Sequence, residues 1–258
     1  AGEAQRRGCS GLLSFGGVWS NHLHALAASG SELGLATVGI LRGGEADTPM
    51  LRDARRWGMR LVPVSREEYR RRHDPEYQAQ LSRRFAPCLV IPEGGGGAPG
   101  VRGCLTIASM IRATGPDAAR VLLGVGTGTT LAGVAAGLSD GGTEVIGVSA
   151  LKGASDLEAR VAQALEVYPG QAVTPWSIVH DAHCGGFARV SPGLREFMLA
   201  FEAVHRVPLD PVYTAKMMYA IYRRLQSGEW DADEPLLAIH SGGLQGRRGF
   251  PFLNCQPG

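Results

Sequence analysis

Short runs that are apolar on both faces alternate along the chain with longer stretches in which apolar residues recur every three or four positions. The runs are "CSGLLSF" (9–15), "LATVGIL" (35–41), "RLVPV" (60–64), "CLVIP" (88–92), "RVLLGVG" (120–126), "TEVIGVSA" (143–150) and "PLLAIHS" (235–241). A strand with no polar face has to be covered on both sides, so these runs predict a parallel sheet flanked by helices. The intervening stretches 21–33, 48–58, 66–85, 103–115, 129–140, 154–166, 194–205 and 214–228 carry the helical period. The order is a βαβ series, and the predicted class is α/β.

Two punctuation marks divide the series: the glycine run "EGGGGAPG" at 93–100, and "ATGPDA" at 113–118, where Gly and Pro end a helix before the next strand. The second mark predicts a boundary near 117. A smaller α/β domain would then span 1–117 and a larger one 118–258. The opening "AGEAQRRGCSG" reads as the last turns of a helix, with Gly8 in the position that takes a left-handed residue after the final turn. A helix tail without its helix leads us to expect an N-terminal segment that is absent from this sequence.

Composition narrows the partners. The chain has 258 residues, with 26 Lys+Arg against 24 Asp+Glu, a net charge of +2. "YRRRH" and "GRRGF" are too short and too isolated to follow a phosphate backbone, which argues against nucleic acid. No run of about 18 apolar residues exists to span a bilayer, and no signal peptide opens the chain, so a cytoplasmic location and no membrane partner are expected. The cysteines at 9, 88, 104, 184 and 255 lie far apart without a CxxC pair. That spacing predicts reduced thiols and no metal site.

Chemistry concentrates in turns that follow strands. "GVGTGTTLAG" (124–133) leads from a strand into a helix, so its backbone N–H groups and the helix N-terminus can face an anion. No Lys-Ser/Thr pair closes a Walker loop, and the GxGxxG frame breaks at Thr129. The hydroxyls of Thr127, Thr129 and Thr130 suit a phosphate monoester. A nucleotide reading needs an acidic residue at the end of the following strand, and "TEVIGVSA" has none there. "GGVWSNH" (16–22) repeats the geometry: two glycines allow close approach of a ligand, and Ser20 and Asn21 stand where a helix begins. Either could equally be a helix N-cap. "LDPVYTAK" (209–216) brings Tyr213 and Thr214 to a helix start, and "IHSGG" (239–243) places Ser241 after the last strand. Ligands of parallel sheets bind beyond the carboxyl ends of strands, so these turns are expected to converge on one crevice.

Taken together, "SFGGVWSNH", "IPEGG", "GVGTGTTLAG", "HCGGFAR", "DPVYTAK" and "IHSGGLQG" resemble, in order and over nearly the whole chain, the pyridoxal-phosphate family of 1-aminocyclopropane-1-carboxylate deaminases and D-cysteine desulfhydrases. The resemblance implies the tryptophan-synthase-β-like fold (fold type II), with two open, mainly parallel sheets flanked by helices. It also implies pyridoxal 5'-phosphate as cofactor, a small amino acid as substrate and a homodimer. Gly126, Thr127, Gly128, Thr129 and Thr130 would hold the cofactor phosphate. Asn21 would meet the ring hydroxyl, and Thr214 and Ser241 would also contact the cofactor. Ser20, Asn21, His22 and Phe187 would face the substrate, Ser20 binding its carboxylate or assisting the chemistry. Tyr213 would be the acid/base tyrosine.

The chain departs from the family pattern in two places. The lysine that carries the cofactor covalently in the family would fall upstream of Ala1, and the lysines present, Lys152 and Lys216, stand in contexts where it is a different residue. Phe187 stands where relatives commonly have tyrosine, which removes a hydroxyl and keeps the ring. Thr214 stands where the cyclopropane deaminases have glutamate, and a neutral hydroxyl at the ring nitrogen suits β-elimination better than ring opening. The resemblance therefore favours desulfhydrase-like elimination to pyruvate, ammonia and sulfide. Ring-opening deamination is the alternative within the family, and a non-catalytic binding protein of the same fold is the alternative outside it.

Overall fold

The computed structural model describes residues 2–44, 46–85, 87–114, 118–139, 142–167 and 172–253. The expected boundary near 117 and the cysteine at 255 lie outside the described residues. Contacts divide the chain into two compact units, one running to Gly95 and resuming at Arg248, the other spanning Gly96–Arg247.

The first unit comprises α1 (Gly2–Arg6), β1 (Gly11–Gly16), α2 (Asn21–Glu32), β2 (Ala36–Arg42), α3 (Pro49–Arg56), β3 (Arg60–Val64), α4 (Arg66–Arg70), α5 (Pro75–Arg84) and β4 (Cys88–Val90). Its four strands are parallel, in the order β3-β2-β1-β4. Successive residues of β1 face opposite layers: Leu12 packs with Leu23, Leu26 and Met50, and Leu13 with Val38, Tyr69 and Leu81. The continuous helix expected over 66–85 is two helices joined by a 3₁₀ turn at Arg71–His73. Pro75 lacks an N–H and keeps Asp74 extended (φ −75°, ψ 118°), and Asp74 instead caps α5 by accepting from the Glu76 N–H. Residues from Arg248 belong here because the Arg248 guanidinium donates to Asp53 at 2.5 Å and Gly249 lies against the Trp19 ring.

The second unit comprises α6 (Ala98–Thr114), β5 (Arg120–Val125), α7 (Thr129–Gly137), β6 (Glu144–Ser149), α8 (Leu157–Leu165), β7 (Trp176–Val179), α9 (Pro192–His205), α10 (Thr214–Gln226) and β8 (Leu236–Ala238). Its strands are again all parallel, in the order β7-β6-β5-β8. Val121, Leu123 and Val125 face one layer with Leu131 and Val161; Leu122, Ile146 and Val148 face the other with Met217 and Ile221. Sequence periodicity missed β7, whose four residues "WSIV" are too few and too exposed to show an apolar run. It also started α6 five residues late, because Pro99 sits in the first turn, where its missing N–H costs nothing.

Helix α6 explains why the units part at Gly95–Gly96 and not near 117. A Cβ on Gly133 of α7 would lie 2.3 Å from the Cβ of Cys104, and one on Gly137 would lie 2.4 Å from that of Ala108. The two helices touch backbone to backbone, so α6 belongs to the second core, and "ATGPDA" marks only the link from α6 to β5. Among the described residues no helix is long and apolar enough to cross a membrane. No group of three or more His, Cys, Asp or Glu among them could hold a metal ion. The four described cysteines are free thiols.

Candidate cofactor and active site

In the second unit the chain leaves β5 toward β6 on one side, whereas β8 is added on the other, so the strand order reverses between β5 and β8. Loops that leave two such strands diverge and open a crevice at their carboxyl ends. The turn 126–128 stands there, at the end of β5. Gly128 adopts φ 92° and serves as the N-cap of α7, and no side chain caps that helix. The first-turn amides of α7 therefore keep their donors for an outside acceptor, with the positive end of the helix dipole behind them. Thr129 is buried, and its hydroxyl lies 3.4 Å from that of Thr127.

Tyr213 immediately precedes α10 and lies on this turn. A Cβ on Gly126 would stand 3.0 Å from the phenol oxygen, so turn or ring would have to give way, and one on Gly124 would stand 2.9 Å from the Tyr213 Cβ, where there is no room for a side chain. Asp210 holds the tyrosine backbone: its carboxylate accepts from the N–H groups of Val212 (2.9 Å), Tyr213 (3.0 Å) and Thr214 (2.8 Å). Burial pushes the Asp210 carboxyl above its usual range, opposed by those three N–H bonds. Phe187 meets the Tyr213 ring edge to face, centroids 6.3 Å apart, and is 48% exposed.

Gly126–Thr130, Tyr213 and Phe187 thus come together. Thr214 does not join them in the same way: it is fully buried, and its hydroxyl accepts from the Asp210 N–H at 2.8 Å. Ser241 is exposed, on a segment where Gly242 and Gly243 take φ 87° and 77°. His240 braces that segment, accepting at Nδ1 from the Gly242 N–H (3.2 Å) and donating from Nε2 to the Pro208 carbonyl (2.8 Å). Lys152 is exposed, and Lys216 is buried.

The first unit has its own reversal between β1 and β4, bordered by the 17–20 loop and "IPEGG". Ser20 is the N-cap of α2, its hydroxyl accepting from the Leu23 N–H at 3.2 Å. Asn21 opens that helix and is half-buried. The Nε2 of His22 lies 2.7 Å from the Ser14 hydroxyl, which donates its proton to the Ile91 carbonyl at 2.8 Å. Because that proton is already committed, His22 must donate through Nε2, which leaves Nδ1 as an acceptor. Burial holds the imidazole below its usual pKa, opposed by Glu93. It is therefore neutral at pH 7.

Glu93 accepts from the Tyr69 hydroxyl and the Arg72 Nε, both at 2.6 Å, and so fixes the two glycines that follow it. Gly94 and Gly95 take φ 71° and 74°, and a Cβ on Gly95 would stand 3.8 Å from the His22 ring. Sequence reasoning missed Ser14, Tyr69, Arg72, Glu93 and Asp210. Only the positions of Ser14, Glu93 and Asp210 inside quoted motifs gave a signal.

Against known proteins, the model of the family "Pyridoxal-phosphate dependent enzyme" matches residues 3–242. A Thermotoga maritima protein provisionally named as a 1-aminocyclopropane-1-carboxylate deaminase is 30% identical over 260 residues, covering 95% of this chain and 81% of that protein. A D-cysteine desulfhydrase of Salmonella choleraesuis is 29% identical, covering 93% of this chain and 78% of its own length. Among solved structures, an ACC deaminase homologue superposes with a TM-score of 0.84 at 23% identity, over 98% of this chain and 80% of that one. Threonine deaminase isoform 2 of Solanum lycopersicum gives 0.65 at 18%, over 91% and 70%. The two parallel sheets are those of pyridoxal-phosphate fold type II. The chain belongs to the family of pyridoxal-phosphate dependent enzymes, within the group that holds the deaminase-like and D-cysteine desulfhydrase relatives.

The residues present fit the phosphate end of that cofactor. The turn 126–130 combines an uncapped helix N-terminus, two threonine hydroxyls, a Gly126 set tightly against Tyr213 and a Gly128 at positive φ set against Val161.

Proposed function

We propose that the protein catalyses β-elimination on a small amino acid, converting D-cysteine and water to pyruvate, ammonia and hydrogen sulfide. The observation that carries this reading is the pairing of Tyr213 with Phe187 against the phosphate turn: one ring has a hydroxyl and the other has none. A single phenol suffices to move protons at the substrate in an elimination whose leaving group is already a stable thiolate. Opening a cyclopropane ring asks more of the acid/base groups. The D-cysteine desulfhydrase relatives support the same choice.

When bound, pyridoxal phosphate supplies an electron-withdrawing ring that stabilises negative charge at the substrate Cα. The chain's own residues do the rest. The amides and hydroxyls of 126–130 anchor the phosphate, and Thr214 and Ser241 lie on the two segments proposed to flank the ring. Asn21 meets the cofactor oxygen, Ser20 binds the substrate carboxylate, and neutral His22, fixed by Ser14, lines the substrate side. Tyr213 moves the proton, while Phe187 contributes an apolar wall. A homodimer and a cytoplasmic location belong to the same reading, supported by the family resemblance. Product analysis tests it: the native protein given D-cysteine should release pyruvate and sulfide in equal amounts. Release of 2-oxobutanoate from 1-aminocyclopropane-1-carboxylate, with no sulfide from D-cysteine, would assign it to the deaminases.

A further inference from the structure

Lys216 lies in the first turn of α10 and is 1% exposed, among the largest fully buried side chains of the molecule. Its ammonium donates to the Gly186 carbonyl at 2.7 Å and to the Ala150 carbonyl at 3.3 Å. Ala150 directly follows β6. Gly186 sits in a segment of unusual backbone, with positive φ at Cys184 (50°), Gly185 (99°), Gly186 (119°) and Ala188 (55°). Two of these four residues carry a Cβ, and such conformations persist only where the surroundings enforce them. Within the segment the Gly186 N–H donates to the His183 carbonyl (3.0 Å) and the Arg189 N–H to that of Gly186 (3.1 Å). Through these two bonds Lys216 ties this turn to the end of β6 and to α10.

The two aromatic rings at the phosphate turn are attached to either end of this tie. Tyr213 stands three residues before Lys216, and Phe187 directly follows Gly186. We propose that Lys216 is a positioning residue: by holding the Gly186 carbonyl, its ammonium fixes Phe187 against Tyr213 beside the phosphate turn. A buried ammonium is a costly way to fill a core, since an apolar side chain of that length would pack without desolvating a charge. Burial lowers the Lys216 pKa to about 8, while Cys184 and Asp210 pull it back up. The inference rests on the geometry of the second unit and not on which amino acid the enzyme consumes.

Hydrogen–deuterium exchange of the protein and its Lys216→Met variant tests it, with inorganic phosphate affinity as a second readout. Exchange across 183–189 should accelerate by about tenfold or more. Exchange in β5 and α10 should stay as in the unaltered protein, and phosphate should bind within about twofold of it. Unchanged exchange at 183–189 would overturn the proposal. So would uniform acceleration, or loss of phosphate binding, because either would make Lys216 a general structural residue. If Lys216→Met fails to fold, Lys216→Gln is read by the same criteria, and failure of both to fold also overturns the proposal.

Discussion

The contact between Gly126 and Tyr213 gives the most closely defined perturbation. In Gly126→Ala the new Cβ would lie 3.0 Å from the Tyr213 phenol oxygen, 3.2 Å from Cε1 and 3.4 Å from Cζ. Comfortable contact begins near 3.5 Å, so turn and ring must separate by about 0.5 Å. The ring has little freedom to yield: its backbone is held by three N–H bonds to Asp210, its Cβ rests on Gly124, and its edge meets Phe187. Part of the strain therefore falls on the turn. Overpacking of this kind costs about 1–3 kcal/mol, and a loss of about 1.4 kcal/mol at the anion site weakens binding roughly tenfold. Isothermal titration with inorganic phosphate, then with pyridoxal phosphate, should show the dissociation constant of Gly126→Ala raised by about that factor. Tyr213→Phe removes the closest contact, so adding it to Gly126→Ala should recover part of the loss, a coupling of about 0.5–3 kcal/mol in the double-mutant cycle. Strict additivity, or a Gly126→Ala constant within about twofold of the unaltered protein, would refute the placement of Tyr213 on the phosphate turn.

Tyr213→Phe alone should lower pyruvate release from D-cysteine by about 10²–10⁴-fold while the dissociation constant for pyridoxal phosphate holds, which steady-state kinetics and absorbance titration would read together. Lys216 should leave a signature in stability against pH. Burial brings its folded pKa to about 8, below the 10.5 of a solvated lysine, so between those pH values the unfolded chain holds more protons and this lysine's contribution rises with pH. Urea unfolding at pH 7.5 and pH 10 should therefore show the unaltered protein gaining up to about 3 kcal/mol relative to Lys216→Met, and a pH-independent difference would contradict the shift. Glu93→Ala leaves the buried Tyr69 hydroxyl and the Arg72 Nε without their carboxylate. It should destabilise the first unit by about 1–3 kcal/mol in denaturant unfolding.

The βαβ order was legible in the sequence because every central strand is apolar on both faces, as a covered parallel sheet requires, and longer helical periods alternate with these runs. β7 was not, because a half-exposed edge strand of four residues needs no such pattern. Helix 66–85 read as continuous because its apolar period runs on through Pro75; the break follows from the backbone of Asp74, which the period does not record. The unit boundary was misplaced for a related reason: Gly and Pro mark turns, whereas unit membership is decided by packing, here the glycine contacts of α7 with α6. At the site, the glycine-threonine turn that leads from β5 into a helix start without a side-chain cap could be read from residue spacing, and the phosphate is what we propose it holds. The supporting residues could not. Asp210, Ser14 and Glu93 act by accepting N–H and O–H groups that come together only on folding, and the fold takes up the Thr214 hydroxyl for Asp210 in a way that no motif announces.

The most direct test of the account is a crystal structure of the protein with pyridoxal phosphate. The account predicts the phosphate group on the backbone amides of Gly126 to Thr130, with the Tyr213 ring against Gly126. An empty turn with the phosphate bound elsewhere would contradict it.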